Sequence, residues 1–365
     1  MRILVAPDKF KGSLGASEVG SAIAAGLRQA LPTAEIEVIA VADGGEGTTE
    51  AIWQARAGTW IDCPAHDALG REVMTRYVWL ADARLAAMEM SAAAGLWRLT
   101  PSERDPVRAT TFGVGEMLRD AARRGAMEIV IGIGGSATND GGFGMARALG
   151  FCFFAADGRE LSGAVSDLLE LDRIELPAGE FKPQVLAACD VNNPLLGPNG
   201  ATRIFSAQKG ATPPQMEILE GALTRLADVA SVSFGRDLRD HPGAGAAGGL
   251  GFGLLMFCGA TIRSGFEVVA EVIELREKIA RADIVITGEG KLDRQTLSGK
   301  APAGVARMAR KADKRVFAIV GQAPGNSDAT QLFEQVIALD DRSPRYRETP
   351  RLLQEKARLL ASSWR

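Results

Sequence analysis

A short apolar, β-branched run at residues 3–6 leads into an amphipathic stretch at 17–31, and the same order recurs along the chain. Residues 36–42 lead to 46–56, 129–133 to 142–149, and 284–287 to 301–311. Residues 316–320 and 336–339 predict two further strands, and 350–362 a closing helix. Strand and helix alternate in this way when a parallel sheet is covered on both faces. Residues 59–90 break the rhythm. Runs at 60–63, 73–80 and 84–90 read as short strands, with Leu69-Gly70-Arg71 at a turn.

A chain of 365 residues exceeds what one hydrophobic core usually covers, so two domains are expected. The clean strand–helix pattern occupies both ends. The expectation is therefore a discontinuous parallel-sheet α/β domain, residues 1–60 and 275–365, with a second, mixed α/β domain, residues 61–274, inserted into it. Residues 242–262 carry no charge and resemble a membrane span, but they hold seven glycines. They predict a glycine-rich loop running into a buried helix.

Composition narrows the function classes. The net charge is −3, with no basic tail and no long run of one sign, which argues against a nucleic-acid partner. Four scattered cysteines form no CxxC pair and suit a reducing cytosol, so a cytoplasmic protein is expected. Only two histidines occur, which excludes a histidine-rich metal centre. Charged residues follow the first apolar run at once, so a signal peptide is not expected there.

Glycine and lysine carry the candidate chemistry. Six segments (6–14, 42–48, 132–144, 188–211, 241–253 and 286–306) make up about a quarter of the chain yet hold 23 of the 42 glycines. Lys9, Lys11, Lys209, Lys291 and Lys300, half of the ten lysines, lie there beside only two of the 32 arginines. Lysine offers a compact charge to a phosphoryl oxygen, and glycine lets backbone N–H groups approach an anion. A phosphate-handling site at strand ends is the expectation. Two familiar motifs fail. Gly299-Lys300 is followed by Ala301, so there is no Walker A loop. Gly243, Gly245 and Gly248 spell GxGxxG, but a charged segment rather than a strand precedes them.

Phosphoryl transfer also needs carboxylates for Mg²⁺ and for the hydroxyl proton. Asp8, Asp43, Glu46, Asp140, Asp190, Glu289 and Asp293 lie near glycine. Asp190 ends an apolar run beside Asn192 and Asn193, which suits a general base, although an Asx turn before Pro194 explains it equally well. Asp293 could hold metal or act as the base instead. Asp43 could cap the helix that follows it. Gly134-Gly135-Ser136 offers N–H and hydroxyl donors to an anion.

Together these segments resemble the type I bacterial glycerate kinases. The matching stretches are APDKFKGSL at 6–14, ADGGEGT at 42–48, GIGGSATNDGGFGMARALG at 132–150, CDVNNPLLGPNGA at 189–201, QKGA at 208–211, GAGAAGGLG at 243–251 and TGEGKLDRQTLSGKAPAGVA at 287–306. EMSAAAGL at 89–96 is also similar. Phe205-Ser206-Ala207 stands where members often read Phe-Gly-Pro. The resemblance implies a Rossmann-like domain built from both chain ends, with ATP, D-glycerate and Mg²⁺ as ligands and 2-phosphoglycerate as product. A homodimer stays open.

The resemblance does not settle which carboxylate is the base; the roles expected from the lysines, glycines and carboxylates at the strand ends are these. Asp190 is the base, with Lys9 and Asp293 as further catalytic groups. Gly134, Gly135, Ser136, Asn139, Asn192 and Arg203 bind glycerate. Lys11, Gly288, Glu289, Gly290, Lys291 and Lys300 bind the ATP phosphates. Asp43 and Asp293 hold Mg²⁺.

Overall fold

A computed structural model describes residues 1–10, 12–292, 300–323, 328–339 and 348–364. Lys11 and Asp293 lie outside the described residues. In chain order the elements are β1 (Arg2–Val5), α1 (Ala16–Ala30), β2 (Glu35–Val38), α2 (Thr48–Arg56), β3 (Thr59–His66), β4 (Glu72–Leu80), β5 (Leu85–Glu89), α3 (Ser91–Ala94), α4 (Phe112–Arg123) and β6 (Glu128–Gly132). There follow α5 (Phe143–Ala148), β7 (Cys152–Ala155), β8 (Leu171–Glu175), β9 (Gln184–Ala188), α6 (Ala201–Phe205), α7 (Pro213–Phe234), α8 (Ala246–Phe257) and β10 (Thr261–Arg263). The chain closes with α9 (Gly265–Val272), α10 (Leu275–Arg281), β11 (Ile284–Thr287), α11 (Ala301–Lys311), β12 (Arg315–Val320), β13 (Gln335–Ala338) and α12 (Thr349–Ser362). No helix among the described residues is long and apolar enough to cross a membrane.

The chain divides into two compact units. The first comprises Met1–Asp43, Glu50–Ala57 and Ser264–Arg365. Its sheet has the order β13-β12-β11-β1-β2, with every pairing parallel. Counted within the unit this is 2-1-3-4-5, the flavodoxin-like variant of a doubly wound sheet. The chain winds outward from β1 to β2, then starts again at β11 on the other side. Loops therefore diverge between β1 and β11, and ligands of such sheets bind at that point, beyond the strands' carboxyl ends.

Side chains alternate across these strands. Ile3, Val5, Ile284, Ile286, Phe317 and Ile319 pack under α1 and α12, while Leu4, Val285, Val316 and Ala318 are buried on the other face. Residues 264–274, which the sequence pattern put in the insertion, belong to this unit. The ring of Phe266 on α9 lies against Gly304 of α11, where a Cβ would sit 2.2 Å from it.

The second unit comprises Gly44–Thr49 and Gly58–Arg263. Its sheet has the order β10-β9-β6-β5-β4-β3. The four strands from β10 to β5 are parallel, and β4 and β3 are antiparallel. A separate hairpin pairs β7 with β8. The core continues from the sheet into a cluster of rings, with Phe143, Phe153 and Phe257 edge to face. Residues 242–262 form the expected loop and buried helix, α8, and in addition β10. The sequence pattern did not resolve α7. Thr212 and Gln215 cap it reciprocally, and Gly235 ends it in a left-handed conformation at φ 67°.

Gly26 on α1 shows how closely the helices pack. A Cβ there would lie 2.0 Å from the carbonyl oxygen of Gln354 on α12. A helical Gly→Ala change ordinarily stabilises by about 1 kcal/mol. Here backbone stands against backbone, so Gly26→Ala is expected to cost roughly 1–3 kcal/mol. A lowered thermal midpoint checks this, and a raised one contradicts the packing described.

Candidate active site

In the second unit the carboxyl ends of the parallel strands are aligned. Glu89 of β5, Gly132 of β6 and Ala188 of β9 are in register. The loops that follow therefore emerge side by side, and they carry Ser91, Gly134–Asp140 and Asp190–Asn193. Glu89 organises this edge. Its Oε1 accepts the N–H of Gly47 at 3.1 Å, the N–H of Thr49 at 3.0 Å and the Thr49 hydroxyl at 2.9 Å. That draws residues 44–49 across the edge, where the oxygen of Gly44 would lie 2.5 Å from a Cβ on Gly132.

The loop after β6 has an open tip and a buried stem. Gly134 is half-buried and Gly135 exposed, whereas Ser136 to Asp140 are buried. The N–H of Leu96 donates to the Gly135 carbonyl and that of Ala137 to the Ala94 carbonyl, both at 2.9 Å. Further along, Asn139 Nδ2 donates to Thr202 Oγ1 at 3.1 Å. Asp140 is wholly buried and accepts four hydrogen bonds, from the N–H and hydroxyl of Thr111 and the N–H groups of Gly142 and Gly144. Burial raises its pKa while those donors oppose the rise. With both oxygens committed, Asp140 fixes the loop and the start of α5.

Beneath the loop lies Lys209, 2% exposed. Its Nζ donates to Ser136 Oγ and to the Thr138 carbonyl, each at 2.7 Å. Burial pushes its pKa down to about 7, and Asp140 opposes that fall. Two buried acceptors in the same loop, Thr138 Oγ1 and Asn139 Oδ1, have no partner among the described residues. The sequence marked Lys209 only as one lysine beside glycine and did not single out Glu89.

The other expected acceptor-side residues are dispersed. Asp190 and Asn192 are exposed, just beyond β9 and next to the β6 loop. Asn139 is buried and ties its loop to Thr202, so it holds the loop and does not line an open surface. Arg203 lies exposed on α6 with its guanidinium in a two-pronged pair with Glu217, at 2.7 and 2.9 Å. The structure thus commits that arginine elsewhere.

In the first unit, the divergence between β1 and β11 gathers the remaining candidates. The N–H of Asp8 donates to the Gly288 carbonyl at 2.8 Å, and the Thr287 hydroxyl to the Ala6 carbonyl at 2.7 Å. Gly288 is packed so closely that a Cβ would lie 2.1 Å from the Ile319 carbonyl oxygen. Glu289 is buried and Gly290 half-buried. Lys291 is exposed and bridges to Gln322, and Lys300 stands at the N-cap of α11. Asp8 is buried, and its Oδ1 accepts the N–H of Lys9 at 2.7 Å. Its pKa is raised to about 7, chiefly by burial, then by the negative charges of Asp43 and Glu289, against the pull of Lys9. No group of three or more His, Cys, Asp and Glu among the described residues is arranged as a metal cage. Mg²⁺ in phosphoryl transfer needs only one or two carboxylates beside phosphate oxygens and water, and Asp8, Asp43 and Glu289 fit that donor chemistry.

Each unit therefore carries glycine-rich loops at the carboxyl ends of parallel strands, one edge with acids and lysines, the other with a hydroxyl-rich loop over a buried lysine. That is the layout of an α/β protein that handles small anions. The glycerate kinase family profile matches residues 3–364, and the chain belongs to that family. A glycerate 2-kinase of Escherichia coli K12 is 43% identical over 88% of this chain and 85% of its own. A glycerate kinase of Bacillus subtilis 168 is 42% identical over 90% of this chain and 87% of its own. A crystal structure from Salmonella typhimurium LT2, assigned as glycerate kinase 2, covers 100% of this chain and 98% of that one at 40% identity and a TM-score of 0.91.

The Asp8 carboxyl supplies a test with a defined sign. Its pKa is about 7 in the folded chain against an ordinary 3.8. Across that window the folded state holds a proton the unfolded state has released, so stability falls as pH rises through it. Asp8→Asn keeps the acceptor for the Lys9 N–H and removes the charge. Without divalent cations, the variant should melt on the order of 5 °C higher than the parent near pH 8, with the difference vanishing near pH 4. An unchanged midpoint at pH 8 would contradict the crowding of carboxylates at this edge.

Proposed function

We propose that the protein transfers the γ-phosphate of ATP to the C2 hydroxyl of D-glycerate, giving 2-phospho-D-glycerate and ADP. Family membership and the names of the relatives support the kinase and its substrate. The register of Glu89, Gly132 and Ala188 carries the assignment of the acceptor site to the second unit, because it sets Asp190 beside the Gly134–Ser136 loop.

The glycerate carboxylate is held by the N–H groups of Gly134 and Gly135 and by the Ser136 hydroxyl, with Asn192 nearby. Asp190 accepts the C2 hydroxyl proton as that oxygen attacks the γ-phosphorus, and the bond from phosphorus to the β–γ bridging oxygen breaks. In the first unit Lys9, Lys291 and Lys300 neutralise phosphate charge, and backbone N–H groups around Gly288 and Gly290 approach the phosphates. Lys11 and Asp293 keep their expected roles as phosphate lysine and metal or base carboxylate, outside the described residues. Mg²⁺, when bound, neutralises charge on the phosphates, and Asp43 is its proposed carboxylate, with Asp8 and Glu289 alongside. Arg203 is left out of the site because Glu217 occupies its guanidinium.

ADP formation measured with D-glycerate, L-glycerate, tartronate and a longer sugar acid tests the substrate. D-glycerate is expected to give the largest kcat/KM by at least about tenfold. A larger value for another acid would move the assignment to that acid. Asp190→Asn should lower kcat by roughly 10²–10⁴ with the KM for ATP nearly unchanged, as for a positioned base. Turnover close to the parent's would remove Asp190 from that role.

A further inference from the structure

Lys209 ends a single 3-10 turn, Ala207–Lys209, immediately after α6. Gly210 fixes the exit from that turn at φ 99°, against the backbone of Arg104, whose oxygen would lie 2.4 Å from a Cβ. The side chain is thereby committed to the interior, where Nζ reaches Ser136 Oγ and the Thr138 carbonyl. An ammonium has three N–H donors, and among the described residues Nζ makes these two hydrogen bonds and no third. A buried charge also needs a counter-charge. Among the ionisable groups described around it, Asp140 is the one whose charge acts on Lys209, and the oxygens of Asp140 already serve four other donors. No salt bridge is made to Lys209 among the described residues. Ser136, whose hydroxyl oxygen accepts from Nζ and whose own proton is left to donate elsewhere, adjoins the open Gly134–Gly135 tip.

We propose that Lys209 is a positioning residue for the substrate carboxylate: it holds Ser136 and Thr138 from beneath the loop, and it takes up one proton from solvent when a carboxylate docks above. The inference rests on the reading of Gly134–Ser136 as the carboxylate-binding tip. Its energetic basis is the missing counter-charge. In the free protein, burial holds the amine near neutrality; a bound carboxylate supplies the opposite charge at short range and favours the ammonium form. The transfer balances as one proton from buffer to Nζ, with no other bond made or broken. Ionisable groups elsewhere on the loop do not substitute for it, since Asp140 is satisfied by N–H and O–H donors.

Calorimetric titration of the full chain with D-glycerate, in two buffers of different ionisation enthalpy, reads the proton directly. Close to one proton should be taken up per glycerate near pH 8, declining toward none near pH 6. Lys209→Met should abolish the uptake and raise the KM for D-glycerate at least tenfold at pH 7, with the KM for ATP unchanged. Lys209→Arg, permanently charged, should keep binding and lose its pH dependence. Binding without proton uptake in the parent protein, which requires no variant to fold, would overturn the proposal and leave the kinase reading standing. Undiminished uptake in Lys209→Met would overturn it equally. A Ser136→Ala variant with unchanged KM for D-glycerate would instead show that the carboxylate sits elsewhere, and the inference would fall with that reading.

Discussion

Close backbone contact at the strand ends is the constraint on which the second unit's site depends. Gly132 and Gly134 lie against the backbone of Gly44 and Gly45, and Gly142 lies against Gly253. Gly248 lies against Thr138, where a Cβ would meet the carbonyl oxygen at 1.9 Å. Side chains at these positions would push the loop after β6 away from the sheet edge and from α8. Without them the loop is held on several sides by main chain, and it keeps one course with only its tip open. Its two buried orphan acceptors and its underlying lysine are tolerable in such a setting because the surrounding backbone cannot relax around them.

The two strand-end clusters solve opposite electrostatic problems. In the second unit an amine is buried without a full counter-charge, beneath a glycine- and hydroxyl-rich loop. In the first unit a carboxyl is buried beside two others, with lysines close by in sequence. Both arrangements are costly in the free protein, and the proposed ligands, a carboxylate in one case and a cation-bearing phosphate chain in the other, carry the charge that would lower each cost. On that proposal binding relieves the cost, which links the glycine-rich packing to the chemistry.

Much of the fold was legible because its signal is local. Short apolar runs followed by amphipathic stretches gave β1, α1, β11, α11, β12 and α12 nearly to the residue. The misses have physical causes. The helix α7 has small and apolar residues spread around it and begins with two prolines, so its period is weak although its cap is strong. Residues 264–274 follow α8 and β10 directly in the chain, and packing, such as the contact of Phe266 with Gly304 and the bond from Arg56 to the Val272 carbonyl, shows where they belong. That the glycines and Asp190 stand just beyond strand ends could be read from the sequence, since that position is set by neighbours in the chain. Lys209 and Glu89 act on partners 73 and about 40 residues away, and nothing in their immediate surroundings states this. Arg203 is the opposite case: its local context suggested an anion ligand, and in the structure its guanidinium pairs with Glu217, 14 residues on.

The most direct test of the account is where the phosphate goes. The protein is incubated with ATP, Mg²⁺ and D-glycerate, and the product is fed to enolase, pyruvate kinase and lactate dehydrogenase with NADH, with and without phosphoglycerate mutase. Attack by the C2 hydroxyl gives the substrate of enolase at once, so NADH should be consumed without mutase. Consumption only after mutase is added would place the phosphate on C3 and contradict the geometry assigned to Asp190 and the loop after β6.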